Sequence, residues 1–173
     1  MRMACTMAPG RGDTDLMLAG LAQSLTARGL RVVGTAQINT ERETAGPCDM
    51  DVRVLPDGPV IRISQDLGAG SRGCRLDAGA LEAAVGLVGV QLAQGADLLI
   101  INKFGKHEAE GRGFRDVIAE AMSRDIPVLV GLNGLNRQPF LDFAGGLAVD
   151  LAPRSEDLLA WVEAAVAGLS DAA

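Results

Sequence analysis

Lysine, histidine, cysteine and long apolar runs are all scarce in this sequence, and the shortness of the apolar runs and the few cysteines each argue against a class of protein. The 173 residues carry a net charge of −6 at pH 7, which argues against a nucleic-acid backbone or an anionic membrane as partner, because both select basic surfaces. No stretch approaches the roughly 20 apolar residues that span a bilayer, and the N-terminus lacks the pattern of a signal peptide. We therefore expect a cytoplasmic protein.

The three cysteines do not predict a disulfide framework, because their number is odd and no export signal precedes them. Cys5 lies in the first apolar run and is expected in the core. Cys48 and Cys74 lie beside Asp49 and Arg75 in loops, where a thiol is available for reaction or for a soft metal. Two cysteines without a nearby histidine do not complete a metal shell, so no metal site is predicted.

The order of apolar segments predicts an α/β fold. A strand at 1–7, a glycine loop and a helix from Asp13 lead to a strand at 30–38. Two alternating runs about Pro56-Asp57-Gly58 predict a β-hairpin insertion at about 48–66. Three further helices, from Asp77, around 114–122 and from Ser155, are each paired with a strand, at 97–102, 126–131 and 146–151. We predict one three-layer domain over 1–173, with a mainly parallel sheet of about five strands.

The two lysines and the one histidine lie within five residues of each other. Lys103, Lys106 and His107 follow an apolar strand and the polar residue Asn102. Because α/β folds bind ligands at the carboxyl ends of their strands, this cluster is a candidate binding site. The alternative is a solvated turn, with His107 as a surface ion-pair partner of Glu108.

The loop after the first strand partly matches the phosphate-binding signature GxxxxGK[ST]. Gly12 and Thr14 fit, but Asp13 takes the lysine position, where its charge repels a polyphosphate by on the order of a kcal/mol or more. Backbone N–H groups from Gly10 to Thr14 and the Arg11 guanidinium still suit an anion at the helix start. The simpler alternative is a helix start with Asp13 as N-cap.

The chain as a whole resembles the small P-loop nucleoside triphosphatases first described from thermophiles, in the order of its elements. Four segments resemble more closely the bacterial family called domain of unknown function 2478; they are Cys48-Asp49-Met50, Ile63 to Gly68, Gly73 to Asp77 and Asn102 to Gly111. The resemblance implies a link to molybdate uptake and nitrogen fixation, and so to the handling of an oxyanion or of molybdenum.

The resemblance to the triphosphatases also implies what is missing. Their third strand ends in Asp-Glu, where the Asp holds the Mg²⁺ shell and the Glu positions water, and the matching residues here are Asn102 and Lys103. Together with Asp13, these changes remove the loop cation, the metal ligand and the general base, so standard hydrolysis is not expected. An ion pair between Asp13 and Lys103 that seals the crevice is an alternative.

We predict a degenerate P-loop-type domain that binds an anion (a nucleotide, phosphate, or an oxyanion such as molybdate or tungstate) in an accessory or regulatory role. The candidate ligand residues are Gly10, Arg11, Gly12, Asp13, Thr14, Asn102, Lys103, Lys106 and His107, with Cys48, Arg72, Cys74 and Arg75 as secondary candidates. The hairpin would carry Arg72 and Arg75 over the crevice if it acted as a lid.

Two other functions stay open. One is an active nucleoside triphosphatase with a nonstandard site, in which Asp13, Asp66 or Asp77 binds the metal. The other is a protein-interaction module with a sealed crevice. A homo-oligomer or a protein partner is compatible with each of these functions.

Overall fold

In a computed structural model, the chain forms a seven-stranded sheet with helices on both faces, as predicted for an α/β fold. The structure describes residues 2–40, 49–66 and 75–170, so the secondary candidates Cys48, Arg72 and Cys74 lie outside the described residues. The strands are β1 (Met3–Thr6), β2 (Val32–Thr40), β3 (Asp49–Leu55), β4 (Val60–Arg62), β5 (Leu98–Ile101), β6 (Val128–Gly131) and β7 (Ala148–Leu151). Their order across the sheet is β4-β3-β2-β5-β6-β1-β7.

Six helices connect these strands in the described part of the chain. They are α1 (Asp13–Ala27), α2 (Ala78–Ala93), α3 (Lys106–Ala109), α4 (Arg115–Ser123), α5 (Arg137–Ala144) and α6 (Ser155–Ser170). The weak sequence pattern after β6 did not indicate α5, whose buried residues are Phe140 and Ala144. No helix in the described ranges has the length and apolar character that crossing a membrane requires.

The hairpin extends the sheet instead of covering it. β2 pairs in parallel with β5 over Val32–Gly34. Its residues from Gly34, opposite Leu55, to Thr40, opposite Asp49, pair antiparallel with β3, so Gly34 pairs with both neighbours. The predicted five-stranded parallel sheet is therefore present as β2, β5, β6, β1 and β7, and the hairpin adds two strands at one edge. Backbone pairing holds the described strands of the hairpin in the sheet, whereas Arg72 lies outside the described residues, so the suggested lid stays a prediction.

The sheet separates two apolar cores, and the four residues of β5 contribute alternately to them. Leu99 and Ile101 pack on the side of α2, α4 and α5, whereas Leu98 and Ile100 pack on the side of α1 and α6. Successive side chains of a strand point to opposite faces, so a strand covered on both faces is apolar throughout. This burial fixes the carboxyl end of β5, where the lysine and histidine cluster begins.

Candidate functional site

A cavity of about 440 Å³ lies at the carboxyl ends of the neighbouring strands β1, β5 and β6. Its lining comes from the loop 7–12, from Thr14 and Asp15 at the start of α1, from Asn102 and Lys103 after β5, and from 132–134 after β6. We call it the phosphate-loop cavity. It brings together most of the loop residues and the strand-end residues that the sequence predicted as one site.

The loop is held by backbone geometry and one hydroxyl group. Gly12 adopts a left-handed conformation with φ of 86° immediately before α1, which favours glycine at that position. The backbone N–H of Ala8 donates to Thr14 Oγ1 over 2.9 Å and closes the loop. The expected N-cap role of Asp13 is wrong, because α1 begins at Asp13 itself and Gly12 is the capping residue.

The carboxylate of Asp13 folds back over the loop. A methyl group added at Gly10 would overlap Asp13 Oδ2, so the two residues are in close contact. Asp13 is exposed, and it does not line the phosphate-loop cavity. Of the predicted loop residues, Gly10, Arg11, Gly12 and Thr14 line that cavity and Asp13 does not.

Asn102 forms the buried floor between the loop and the sheet. Its side chain is almost fully buried, and its Nδ2 donates to Asp15 Oδ1 over 2.7 Å. Its Oδ1 accepts from the backbone N–H of Gln37 over 3.0 Å, so both ends of the amide are bonded. Asp15 is the site residue that sequence reasoning missed; the signal was a second acidic residue in the first turn of α1.

Arg11 and Lys103 provide the positive charge of the phosphate-loop cavity. Both side chains are exposed, and within the described residues neither forms an ion pair. The suggested ion pair between Asp13 and Lys103 is therefore wrong. Among the described residues that line the cavity, Asp15 carries the one carboxylate, so two cationic groups face one buried anionic group.

Lys106 and His107 lie in α3 and do not line the phosphate-loop cavity. Lys106 is exposed, with its Nζ 3.6 Å from Glu110 Oε1. His107 is buried, and its Nε2 lies 2.7 Å from Glu82 Oε1 on α2. The suggested surface pairing of His107 with Glu108 is wrong, because the helix turns the imidazole toward α2.

Glu108 is also buried, and it holds the segment after β5 together. Its Oε2 accepts from the backbone N–H of Gly105 over 2.8 Å, and its Oε1 accepts from that of Phe114 over 3.3 Å. A carboxylate that accepts two backbone N–H groups stabilises this segment, in addition to the backbone hydrogen bonds of α3 and of the turn after it. The residues around His107 therefore form a partly buried, hydrogen-bonded connection between β5 and α4, and not a solvated turn.

A second cavity of about 290 Å³ adjoins the first on the side of β2, β3 and α2. We call it the apolar cavity, because its described lining includes Met50, Val52, Ile63, Leu76, Leu81 and Phe114. Lys106, His107 and Arg75 lie at its wall, and Arg75 Nη2 is 3.6 Å from Asp49 Oδ1. Asn102, Lys103 and Asn133 line both cavities.

The residues at the end of β5 do not fit the magnesium site of the standard nucleotide hydrolases. Mg²⁺ is bound through oxygen atoms of carboxylates, phosphates and water. The amide of Asn102 replaces the carboxylate at the end of β5, and its oxygen is bonded to Gln37. The described residues contain no group of three or more His, Cys, Asp or Glu placed to hold a metal ion. Asp77 instead accepts from the N–H of Ala80 at the start of α2.

Three comparisons relate the chain to known proteins. The model of the family described as "Protein of unknown function (DUF2478)" matches residues 3–161. The chain is 36% identical over 160 residues to the molybdenum import ATP-binding protein ModC 2 of Bradyrhizobium diazoefficiens, and the match covers 92% of this chain and 18% of that protein. The chain thus spans less than a fifth of that relative's length.

Two nucleoside triphosphatases are similar over nearly the whole chain. The nucleoside-triphosphatase THEP1 of Methanosarcina acetivorans is 30% identical over 165 residues, which cover 90% of this chain and 91% of that protein. The solution structure of a human cancer-related nucleoside triphosphatase matches over 100% of both chains, with a TM-score of 0.61 at 17% identity. This structural match shows the fold, which is that of the small P-loop triphosphatases.

Proposed function

Because the chain belongs to the DUF2478 family and has the fold of the small P-loop nucleoside triphosphatases, we propose that it binds an anionic ligand in the phosphate-loop cavity without standard nucleotide hydrolysis. The ligand carries a phosphate or a similar tetrahedral oxyanion group. The observation that carries this proposal is the bonded amide of Asn102, which stands between Asp15 and Gln37 where a hydrolase needs a free carboxylate.

Positive charge and backbone geometry support anion binding. Arg11 offers a guanidinium that suits two oxygen atoms of a tetrahedral anion, and Lys103 offers a point charge. The loop 7–12 ends at the N-terminus of the 15-residue helix α1, where unpaired N–H groups and the helix dipole favour a negative group. An anion in the cavity also offsets the excess of two cations over the one carboxylate of Asp15.

The chemistry at the end of β5 argues against hydrolysis. Lys103 follows Asn102 where a triphosphatase has the Glu that positions water, and an ammonium group at neutral pH does not serve as a base. An amide and an ammonium group therefore replace the metal ligand and the base of the standard reaction. The proposed role is accessory or regulatory, because a protein that binds a ligand without converting it responds to the presence of the ligand but makes no product.

The similarity to a segment of a molybdenum import ATP-binding protein supports including molybdate and tungstate among the ligands. Molybdate, tungstate, sulfate and phosphate share tetrahedral shape but differ in size and basicity. The cavity volume of about 440 Å³ exceeds that of any of these ions, so size alone does not discriminate among them.

Thermal unfolding in the presence of these anions tests the proposal. Phosphate, sulfate, molybdate, tungstate, ATP and GTP are compared with and without Mg²⁺, because a ligand of the native state stabilises it by about 2.7 kcal/mol at one hundred times its Kd. We expect at least one anion to raise the Tm, and the variant Arg11→Ala with Lys103→Ala to lose that rise. The matched control is Arg28→Ala with Arg112→Ala, since these cations pair with Glu163 and Glu110 and line neither cavity.

Two results would contradict the proposal. The first is a panel in which no anion raises the Tm of the unmodified chain. The second is unchanged anion binding in the double variant of Arg11 and Lys103.

An active triphosphatase with a nonstandard site is the second candidate, and the carboxylate of Asp15 in the cavity favours it. In that case Asp15 would supply the metal ligand that Asn102 does not. If the chain releases phosphate from a nucleotide in a Mg²⁺-dependent reaction, and Asp15→Asn abolishes that release, this second candidate replaces the first proposal.

The third candidate, an interaction module with a sealed crevice, lacks the contact that would seal the crevice, since Asp13 and Lys103 are not paired.

A further inference from the structure

The two cavities meet at the carboxyl end of β5. Asn102, Lys103 and Asn133 line both of them, so one side of Lys103 faces the phosphate loop and the other faces apolar surface. A ligand that fills both would place its charge and its apolar part on opposite sides of the same lysine. This juxtaposition bears on which anion the site takes.

The apolar cavity presents little charge of its own to a ligand. The charged groups at its wall are bonded within the protein: His107 to Glu82, and the Glu108 carboxylate to backbone N–H groups. Arg75 lies beside Asp49, and Lys106 beside Glu110. Lys103 forms no ion pair within the described residues. It is therefore the cation of this wall that can bind a ligand.

The size and surface of the apolar cavity suit a ring system. An apolar cavity of roughly 150 Å³ holds one benzene molecule in another protein, and the cavity here has about 290 Å³. Apolar walls with a few polar groups at one end are typical of small-molecule sites, which in open α/β sheets lie at the carboxyl ends of the strands. Among the described residues, an inorganic oxyanion alone would leave this apolar lining uncovered, and apolar surface in water is unfavourable.

We propose that the apolar cavity is the second half of the ligand site, and that the ligand is an organic anion with a compact apolar or aromatic body attached to a phosphate or similar oxyanion group. The charged group lies in the phosphate-loop cavity against Arg11 and Lys103. The body lies among Met50, Leu76 and Leu81. This assignment rests on the proposed anion-binding function and adds the class of molecule that carries the anion.

Isothermal titration with phosphate and phenyl phosphate separates the two proposals. Phosphate reports on the phosphate-loop cavity alone, and the phenyl ring reports on the apolar cavity. We expect phenyl phosphate to bind the unmodified chain at least about tenfold more tightly than phosphate, because the ring leaves water. The ratio of the two affinities is measured on the unmodified chain. In addition, Lys103→Ala should weaken the binding of both ligands.

A variant that fills the apolar cavity locates the ring. Met50→Trp should abolish the advantage of phenyl phosphate and leave phosphate binding in place. The matched control is Val60→Trp, which adds the same indole on the exposed edge strand β4, outside the cavity lining. If Met50→Trp does not fold, Leu76→Phe is a smaller substitution at a half-buried lining residue and serves the same purpose.

The outcomes are distinguishable. If phosphate binds and phenyl phosphate binds no more tightly, the second half of the site is refuted while the anion-binding function stands. If the advantage of phenyl phosphate survives both the filling variant and its control, the ring binds elsewhere and the assignment is again refuted. If neither ligand binds, the proposed function itself fails.

Discussion

The side-chain amide of Asn102 donates a hydrogen bond of 2.7 Å to Asp15, across 87 positions of sequence. Both residues are buried, with exposed fractions of 2% and 6%. The pair joins the end of β5 to the first turn of α1, directly beneath the phosphate loop. A carboxylate next to a neutral amide is stable there, whereas two adjacent buried carboxylates would repel each other.

Asn102→Asp should therefore destabilise the protein, by about 3 kcal/mol at pH 8, because it places a second buried carboxylate against Asp15. The loss should be smaller at pH 5, where one proton shared by the pair relieves the repulsion. Urea unfolding at the two pH values measures it. Asn102→Ala, which removes the hydrogen bonds but adds no second carboxylate, should show a smaller pH dependence than Asn102→Asp. A fully stable Asn102→Asp variant at pH 8 would contradict this account.

Asp13→Lys should tighten phosphate binding by about tenfold, because it replaces a carboxylate that lies over the loop with a cation. No nucleotide turnover should appear, because Asn102 and Lys103 still lack the metal ligand and the base. Titration calorimetry and a phosphate-release assay measure the two effects. Asp57→Lys, in the exposed turn of the hairpin, makes the same change in net charge and should leave affinity unchanged. Equal effects of the two variants would show that only net charge matters.

Two glycines near the site should differ sharply in their tolerance of a methyl group. At Gly131 the added carbon would meet the backbone carbonyl of Asn102 and the side chain of Leu18, neither of which has room to move. We expect Gly131→Ala to cost about 3 kcal/mol or more. At Gly10 the obstacle is the exposed carboxylate of Asp13, which is free to rotate away, so Gly10→Ala should cost about 1 kcal/mol or less. Comparable unfolding midpoints for the two variants would be inconsistent with this difference.

The buried thiol of Cys5 should make stability fall at alkaline pH. Burial, with the nearby carboxylate of Asp150, raises the pKa of Cys5 to about 11 from an ordinary value of 9.0. The thiol in the unfolded chain then loses its proton near pH 9 and the folded one near pH 11. Its contribution to stability is complete below pH 9 and is lost as the pH rises to 11, by about 2 to 3 kcal/mol in total.

Urea unfolding between pH 8 and pH 11 measures this loss in the background Cys48→Ser with Cys74→Ser, where Cys5 is the remaining thiol. The chain has no tyrosine and two lysines, so few other groups titrate in this range. Adding Cys5→Ala should flatten the curve. An identical pH dependence with and without Cys5 would contradict the assignment.

Several features of the site were readable from local sequence. The departure of Asp13 from the phosphate-loop pattern follows from spacing within one segment, and so does the placement of the loop before α1. That Asn102 and Lys103 replace an acidic pair is what the resemblance to the triphosphatases implies. The cavity at the strand ends brings the loop and Lys103 together as expected, because carboxyl ends of neighbouring parallel strands share one edge of the sheet. The hydrogen-bond partner of each polar side chain could not be predicted from local sequence.

His107 illustrates the difference. Its sequence neighbour Glu108 was the expected partner, but α3 turns the imidazole toward Glu82, and the Glu108 carboxylate bonds backbone N–H groups instead. A pairing between residues 25 positions apart depends on how α2 and α3 pack on the sheet. Helix α5 was missed for a related reason, since its burial of Phe140 is decided by neighbouring elements and not by its own weak pattern.

The sequence by itself therefore determined the alternation of strands and helices, the hairpin and the altered phosphate loop, because apolar periodicity and turn residues act over a few positions. Only the tertiary structure decided that the hairpin extends the sheet, that Asn102 bonds Asp15, and that Lys103 lines both the phosphate-loop cavity and the apolar cavity. The physical reason is that these contacts depend on strand order and on helix packing. Such arrangements arise from the burial of the whole chain, which no single segment encodes.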